Sequence, residues 1–240
     1  MAVEILVMPI TFSAMDSIEL PETLPVMTLP NTVLFPQSLL PLHIFEPRYR
    51  AMLRDVLHAH RLFAVARMDE ARLTEPGAVE PPHRIAAVGI VRACQGAEDG
   101  TSNLLLQGVC RVEISAIVRE LPYRIIAIRP LASVSGGQPA ELEILRLEVM
   151  RLLQVRRRLG TPAPKGMTQF LDSIEDFDTF ADIAVFNLCE DAQLKQRLLE
   201  ELDTHRRLQL FAGRLRAEIE THRLRRKLQG RLPDDGIDHN

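Results

Sequence analysis

Hydrophobic residues along this chain follow two different rhythms. Up to about Leu131 they come in short runs or alternate with polar residues, and from Leu142 onward they recur every three or four positions. The first rhythm predicts strands and the second predicts helices. Between them, Ser133-Val134-Ser135-Gly136-Gly137-Gln138-Pro139 has the composition of a linker. The chain therefore reads as α+β, with a β-rich part over residues 19–132, a linker over 133–140 and a helical part over 141–231. Residues 1–18 are expected to form a disordered leader and 232–240 a disordered polar tail, with Met15 an alternative start to Met1.

The stretch LPVMTLPNTVLFPQSLLPLHIFEPRYR, Leu24 to Arg50, is punctuated by Pro25, Pro30, Pro36, Pro41 and Pro47. Each proline fixes its own φ, lacks an N–H and biases the preceding residue away from helix. The apolar runs between them, Val26 to Leu29, Val33 to Phe35 and Leu39 to Phe45, predict brief strands with the prolines at starts, edges or bulges. Glu46-Pro47-Arg48-Tyr49-Arg50 then reads as a helix start, with Pro47 in the first turn and Tyr49, Met52, Leu53 and Val56 on one face.

Leu62 to Ala66 is a further strand, and Glu75-Pro76-Gly77 a turn. Arg84 to Cys94 and Asn103 to Leu106 flank Gly96-Ala97-Glu98-Asp99-Gly100, whose Asp-Gly pair signals a hairpin. Val109 to Arg119 alternates as a half-buried strand does, and Tyr123 to Pro130 supplies another. Gly89 interrupts a β-branched run and predicts a bulge or bend. About six to eight strands and one helix suggest a bent sheet or open barrel.

In the helical part, Leu142, Leu145, Val149, Leu152 and Val155 define a first helix, stopped by Gly160, Pro162 and Pro164. Asp178 to Cys189 and Asp191 to Leu202 read as two short helices. Leu208, Phe211, Leu215 and Ile219 define a long closing helix whose other face carries Arg206, Arg207, Arg214, Arg216 and Arg223.

Composition changes this picture little, and charge changes it more. A chain of 240 residues with 46% hydrophobic content buries a full core unaided. No apolar run reaches the roughly 18 residues of a membrane span. Cys94, Cys110 and Cys189 are odd in number and widely spaced, which fits buried small side chains in a reducing cytoplasm better than a disulfide framework or a zinc site. The net charge of −3 conceals a segregation. Thr204 to Arg231 holds nine Lys or Arg against two Glu, a balance of +7, while the rest holds 20 basic and 30 acidic residues, a balance of −10. Gly166 to Leu194 contains no basic residue and seven acidic ones. Two solvated helix faces are the default reading of such opposed segments, beside pairing within the molecule or a surface for a partner.

The search for catalytic chemistry is negative. There is no GxxxxGK[ST] phosphate loop, GxSxG elbow, HExxH helix or GxGxxG turn. His43 and Glu46 sit three apart at the strand-to-helix corner, where a capping role outweighs an acid–base pair. His58 and His60 flank the end of the first helix without a third ligand for a metal. Arg48 and Arg50 oppose the helix dipole, which makes them candidates for salt bridges or partner contacts. No catalytic residue, cofactor or metal is expected.

The segments LPVMTLPNTVLFP and PLHIFEPRYRAML, followed by Leu105 to Ile114 and more weakly by Phe170 to Ile174 and Leu208 to Leu228, resemble the amino-terminal domain of Lon proteases. The resemblance runs from about Leu20 to Arg231. It implies a PUA-like fold and a stand-alone, non-catalytic module that binds polypeptide substrates, without the ATPase and without the Ser–Lys peptidase module, to which no segment is similar. Binding of that kind needs an apolar groove beside a sheet edge. Val33, Leu34, Phe35, Leu39, Leu40 and Tyr49 are the candidate lining. Two other readings stay open: an RNA-binding PUA-like module, disfavoured by negative net charge and 5% aromatic content, and an adaptor or self-assembling protein acting through the arginine face of the closing helix.

Overall fold

The computed structural model describes residues 19–161 and 163–229; the expected leader, the tail and Pro162 lie outside the described residues. Six strands carry the first half: β1 (Thr23–Leu29), β2 (Leu39–Ile44), β3 (Leu62–Arg67), β4 (Ile85–Gly96), β5 (Ser102–Arg119) and β6 (Ile125–Leu131). Their order is β2-β5-β4-β3-β1-β6, and β6 pairs with β5 as well as β1, so five strands close into a ring with β2 added outside it. Only β1 and β3 run parallel. Between them the chain passes through β2 and helix α1 (Pro47–His58), the crossover that a parallel pair requires.

Strand alternation sends side chains to two separate cores. Leu24, Val26, Leu62, Ala64, Ala66, Ala86, Val88, Val112 and Ile126 fill the inside of the ring. Three alanines among them suit a barrel of so few strands, whose narrow interior is largely taken up by Leu24, Leu62 and Ile126. Met27, Phe63, Val65, Ala87 and Val91 point outward into a larger core shared with α1 and the helical half. Tyr49, Met52, Leu53 and Val56 are the buried face of α1, as the spacing predicts, with Pro47 in its first turn.

The long strand β5 is the hinge of the architecture. Its first part, Ser102 to Gln107, pairs with β2, and its second part, Arg111 to Arg119, pairs with β6. Sequence reading divides it in two at Gly108, but the strand is continuous. Gly108 is required by a close approach. A Cβ there would overlap the carbonyl of Phe35, while Gly108 N–H donates to Ser38 O at 2.9 Å and Gln37 N–H donates to Gly108 O at 2.9 Å. The register slips between Val88 and Gly89 on the neighbouring strand, the irregularity expected at that glycine. The Asp-Gly hairpin between β4 and β5 is also found, with Gly100 at φ 80°.

Val33 to Phe35 does not form the predicted strand. It is a buried irregular segment pressed on the sheet, because the Phe35 carbonyl seats against Gly108 and its ring lies wholly inside the core. Burying one such ring contributes about 3 kcal/mol.

The helical half comprises α2 (Pro139–Arg158), α3 (Met167–Asp172), α4 (Phe177–Leu188), α5 (Ala192–Glu200) and α6 (Thr204–Gln229). Asp176 caps α4 by accepting from Thr179 N–H at 2.7 Å, and Asp191 caps α5 by accepting from Gln193 and Leu194 N–H. Gly160, at φ 96°, follows the end of α2. The short α3 and a 3₁₀ turn at Glu70–Thr74 are not foreseen by periodicity, since each is too brief to display one. The segment after β6 is fastened: Val134 N–H donates to Leu202 O at 2.9 Å, and Thr204 N–H to Val134 O at 2.8 Å. Among the described residues, no helix is long and apolar enough to cross a membrane.

Candidate functional site

Strand β2 lies outside the ring, and among the described residues no strand pairs with its second edge. Ser38 O accepts from Gly108, so by strand alternation the backbone groups of Leu40, Leu42 and Ile44 also face β5, and those of Leu39, Pro41 and His43 face away. Pro41 confirms this polarity physically, since a residue without an N–H is tolerated mid-strand only on an edge.

The side chains of β2 divide in the same way. Leu40, Leu42 and Ile44 pack on the main core, whereas Leu39 is 40% exposed. Phe45, just past the strand, is 59% exposed and stacks on His43, which in turn bonds Asn103 Oδ1 through Nδ1 at 2.8 Å. His43 and Glu46 do not form a pair: Glu46 accepts from Arg48 Nε at 2.9 Å, and Arg48 also grips Glu80 with two bonds of 2.6 and 2.8 Å.

Across from Leu39 stand α3 and α4. Gln37, Ser38, Leu39, Gln107, Met167, Phe170, Ile183 and Asn187 enclose a cavity of about 200 Å³ that opens between β2 and α3. Phe170, 42% exposed, stands at the mouth with Leu39. The wall is mostly apolar. Ser38 Oγ and Gln37 Oε1 lie buried away from the open space, each without a hydrogen-bond partner. Gln37 occupies left-handed backbone at φ 62°, held there by its bond to Gly108.

The two walls are locked together by buried charge. Arg111, four residues beyond Gln107 on β5, grips Asp182 of α4 with bonds of 2.7 and 2.5 Å and donates its Nε–H to Leu199 O at 3.0 Å. Arg207 of α6 adds bonds to Asp182 at 2.9 Å and Asp178 at 2.5 Å. Asp182 adjoins Ile183 of the cavity wall, so this cluster sets where that wall stands. Desolvation pushes the Asp182 carboxyl above its ordinary value, against the pull of both guanidiniums. For Asp178 desolvation works the same way, but Arg207 and Arg111 outweigh it and hold the carboxyl below its ordinary value.

The proposed lining residues are thus separated. Leu39 and Leu40 belong to the edge strand, and Leu39 reaches the cavity. Val33, Leu34, Phe35 and Tyr49 are buried, and none of them lines this cavity. The apolar run belongs to the main core, and Tyr49, whose hydroxyl exchanges hydrogen bonds with the backbone of Thr28, borders a separate cavity beside Arg48 and Glu80. Arg207 likewise is not on a surface, being 0% exposed, because the acidic residues of α4 draw it inward. Arg206, Arg214, Arg216 and Arg223 stay exposed, each beside a carboxylate: Glu201, Glu218, Glu148 and Glu220.

Gln37, Ser38, Gln107, Met167, Phe170, Ile183 and Asn187 were not expected at a site. Their only advance sign is Phe170, a large apolar residue in a short segment between two breaks in helical periodicity.

The chain is similar to known proteins in sequence and in fold. The family model of the ATP-dependent protease La (LON) substrate-binding domain matches residues 23–216. Lon protease 2 of Myxococcus xanthus is 26% identical over 192 residues, which is 80% of this chain and 23% of that protein. The Lon protease of Desulfosudis oleivorans is 24% identical over 220 residues, 90% of this chain and 26% of that protein. The chain thus spans about a quarter of the length of these curated relatives. Among solved structures, the N-terminal domain of Mycobacterium avium complex Lon protease gives a TM-score of 0.63 at 15% identity, covering 80% of this chain and 97% of that one. A Lon N-terminal domain protein from Xanthomonas campestris gives 0.52 at 20% identity, with the same coverage of 80% and 97%. Both likenesses concern the fold.

Proposed function

Because this chain belongs to the family of Lon substrate-binding domains, we propose that it holds extended polypeptide segments, without cutting them, along the groove between β2 and α3. The observation that carries this reading is an unpaired strand edge bordered by exposed Leu39, Phe45 and Phe170 and ending over a cavity. An extended guest there gains backbone hydrogen bonds, which are indifferent to sequence, and buries alternate side chains against apolar surface. That combination suits unfolded or damaged chains, which expose apolar side chains in extended backbone.

The matched family model describes a substrate-binding part, and the motif search finds no nucleophile, phosphate loop or metal-binding helix, which supports a non-catalytic role. The arginine face of α6 favours RNA less. Four of the five arginines named on that face lie beside surface carboxylates and the fifth is buried, so the charge free to meet phosphates narrows to Arg225, Arg226 and Lys227 at one end of the helix.

The test is fluorescence polarisation with labelled extended peptides. Leu39→Asp and Phe170→Asp place charge at the groove mouth and should each weaken binding about tenfold or more, while Arg216→Glu should not. Equal binding by all three variants and the parent sinks the groove assignment.

A further inference from the structure

Helix α6 carries apolar residues on two opposite faces, and the fold uses only one of them. Leu208, Phe211, Leu215 and Ile219 are buried in the main core. At 3.6 residues per turn, Leu210, Gly213, Ala217, Thr221, Leu224 and Leu228 fall on the face turned away from that core. Their spacing, three or four residues throughout, is that of a helix–helix seam. Leu210 is 44% exposed, Leu224 51% and Leu228 67%, and Ala217 and Thr221 are exposed as well. A helix that only covers a core carries polar residues on its outer face. Here the charged residues are confined to the flanks, with Arg214 and Glu218 on one side of the stripe and Arg216 and Glu220 on the other.

Gly213 is a second, independent sign of a missing neighbour. A glycine in the interior of a helix weakens it relative to alanine. A Cβ at Gly213 would meet nothing within 4 Å, so the packing of the single chain does not require the glycine. Gly213 and Ala217 instead form a low saddle between Leu210 and Leu224, and the distance at which two helices pack is set by the side chains at their contact.

We propose that this face pairs the chain with a second copy of itself, the two α6 helices packing antiparallel about a two-fold axis at Ala217. The self-complementarity of the stripe and of its charges selects that occupant. Leu210 and Leu224 lie seven residues to either side of Ala217, and Gly213 and Thr221 lie four. The two-fold therefore sets each leucine of one copy level with the other leucine of the second copy, and Gly213 level with Thr221. An antiparallel pair of this kind also joins like flanks. Arg214 then lies beside Glu218 of the second copy, and Arg216 beside Glu220, each within about 3 Å along the helix axis. In the single chain Arg214 bonds Glu218 at 2.9 Å and Arg216 bonds Glu148 at 2.9 Å, so the flanks meet as balanced charge. The seam is only about 27 Å long, which puts the pairing at the weak, concentration-dependent end of specific association.

Sedimentation equilibrium of the whole chain from about 1 to 500 µM tests this, with expected dimerisation in that range. Ala217→Arg sets two like charges against each other on the axis, and Leu224→Glu puts a carboxylate into the seam. Each should weaken the dimer about tenfold or more. Both positions are exposed, so the far-ultraviolet circular dichroism and unfolding midpoint of the dilute variants should match the parent. Orientation is read from Leu210→Cys and Leu224→Cys. An equimolar mixture should form a disulfide-linked dimer on oxidation, above the background of the parent, while neither variant does so alone. A parent that stays monomeric at the highest concentration overturns the proposal, as does a dimer that Ala217→Arg and Leu224→Glu leave unchanged. Cross-linking by Leu224→Cys alone, with no gain in the mixture, shows parallel helices and overturns it equally.

Discussion

Asp182→Asn removes one charge from the centre of a buried cluster, and the structure fixes what is left behind. Arg111 loses its charged partner and one of the two bonds, since the amide keeps a single acceptor oxygen, and it retains Leu199 O. Arg207 keeps Asp178 Oδ1 at 2.5 Å and Glu201 O at 2.7 Å, so it remains compensated. The cost is therefore that of one uncompensated buried guanidinium, roughly 3–5 kcal/mol. Against a total folding stability of about 5–15 kcal/mol, this is enough to shift the unfolding midpoint far to lower denaturant. Urea unfolding followed by far-ultraviolet circular dichroism measures it, in a chain that has no tryptophan to serve as a probe.

Arg111→Met should cost a similar amount, because it strips two of the three bonds on Asp182. The double variant Arg111→Met/Asp182→Leu should recover most of the loss, since two apolar side chains leave no unpaired charge. An Asp182→Asn protein within 1 kcal/mol of the parent, estimated on the same scale, would refute the reasoning. So would a double variant less stable than either single one. The cluster also positions the α4 wall, so the stable double variant should bind groove peptides more weakly if its wall has relaxed.

Gly108→Ala forces a Cβ into the Phe35 carbonyl, a backbone atom that cannot swing aside, and should destabilise by about 1–3 kcal/mol by overpacking, read from the urea midpoint. Asp178, held below its ordinary value near 3.8, contributes stability that is present above that value and lost as pH falls through its lowered pKa. Stability profiles against pH should therefore fall less steeply on the acid side in Asp178→Asn than in the parent, and parallel profiles would contradict the assignment.

What could be read in the sequence was whatever repeats or is punctuated locally. Helix α1 announces itself through Pro47 and four apolar residues at helical spacing, and the β4–β5 hairpin through its Asp-Gly pair. The core of α6 follows from Leu208, Phe211, Leu215 and Ile219. The site was less legible because it depends on long-range pairing. Val33 to Phe35 looks like an exposed groove residue by residue, and only the carbonyl contact with Gly108, more than seventy positions on, makes it core. Arg207 sits in a run of arginines indistinguishable by type, and only Asp178 and Asp182, one turn apart on another helix, select it for burial. The segregation of charge along the chain left internal pairing, a partner surface and two solvated helix faces open, and did not show which members pair.

Pro41 sets the terms on which any extended guest is held. The outward backbone of Leu39 and His43 can each exchange two hydrogen bonds with an antiparallel strand, whereas Pro41 can only accept one. Each such bond contributes roughly 0.5–1.5 kcal/mol, so the edge alone supports weak and reversible holding. The side-chain sites beside it must supply the rest. The same missing donor protects the free protein, since an unblocked apolar edge pairs with other copies. Pro41→Thr restores the donor without changing the register. It should raise peptide affinity by about 2- to 10-fold and, at the same time, increase self-association in sedimentation velocity runs. A variant that binds peptide more tightly yet stays as monodisperse as its parent leaves the groove in place but removes protection as the reason for the proline. A variant with unchanged affinity removes strand addition from the binding mode, because the restored N–H then meets no guest.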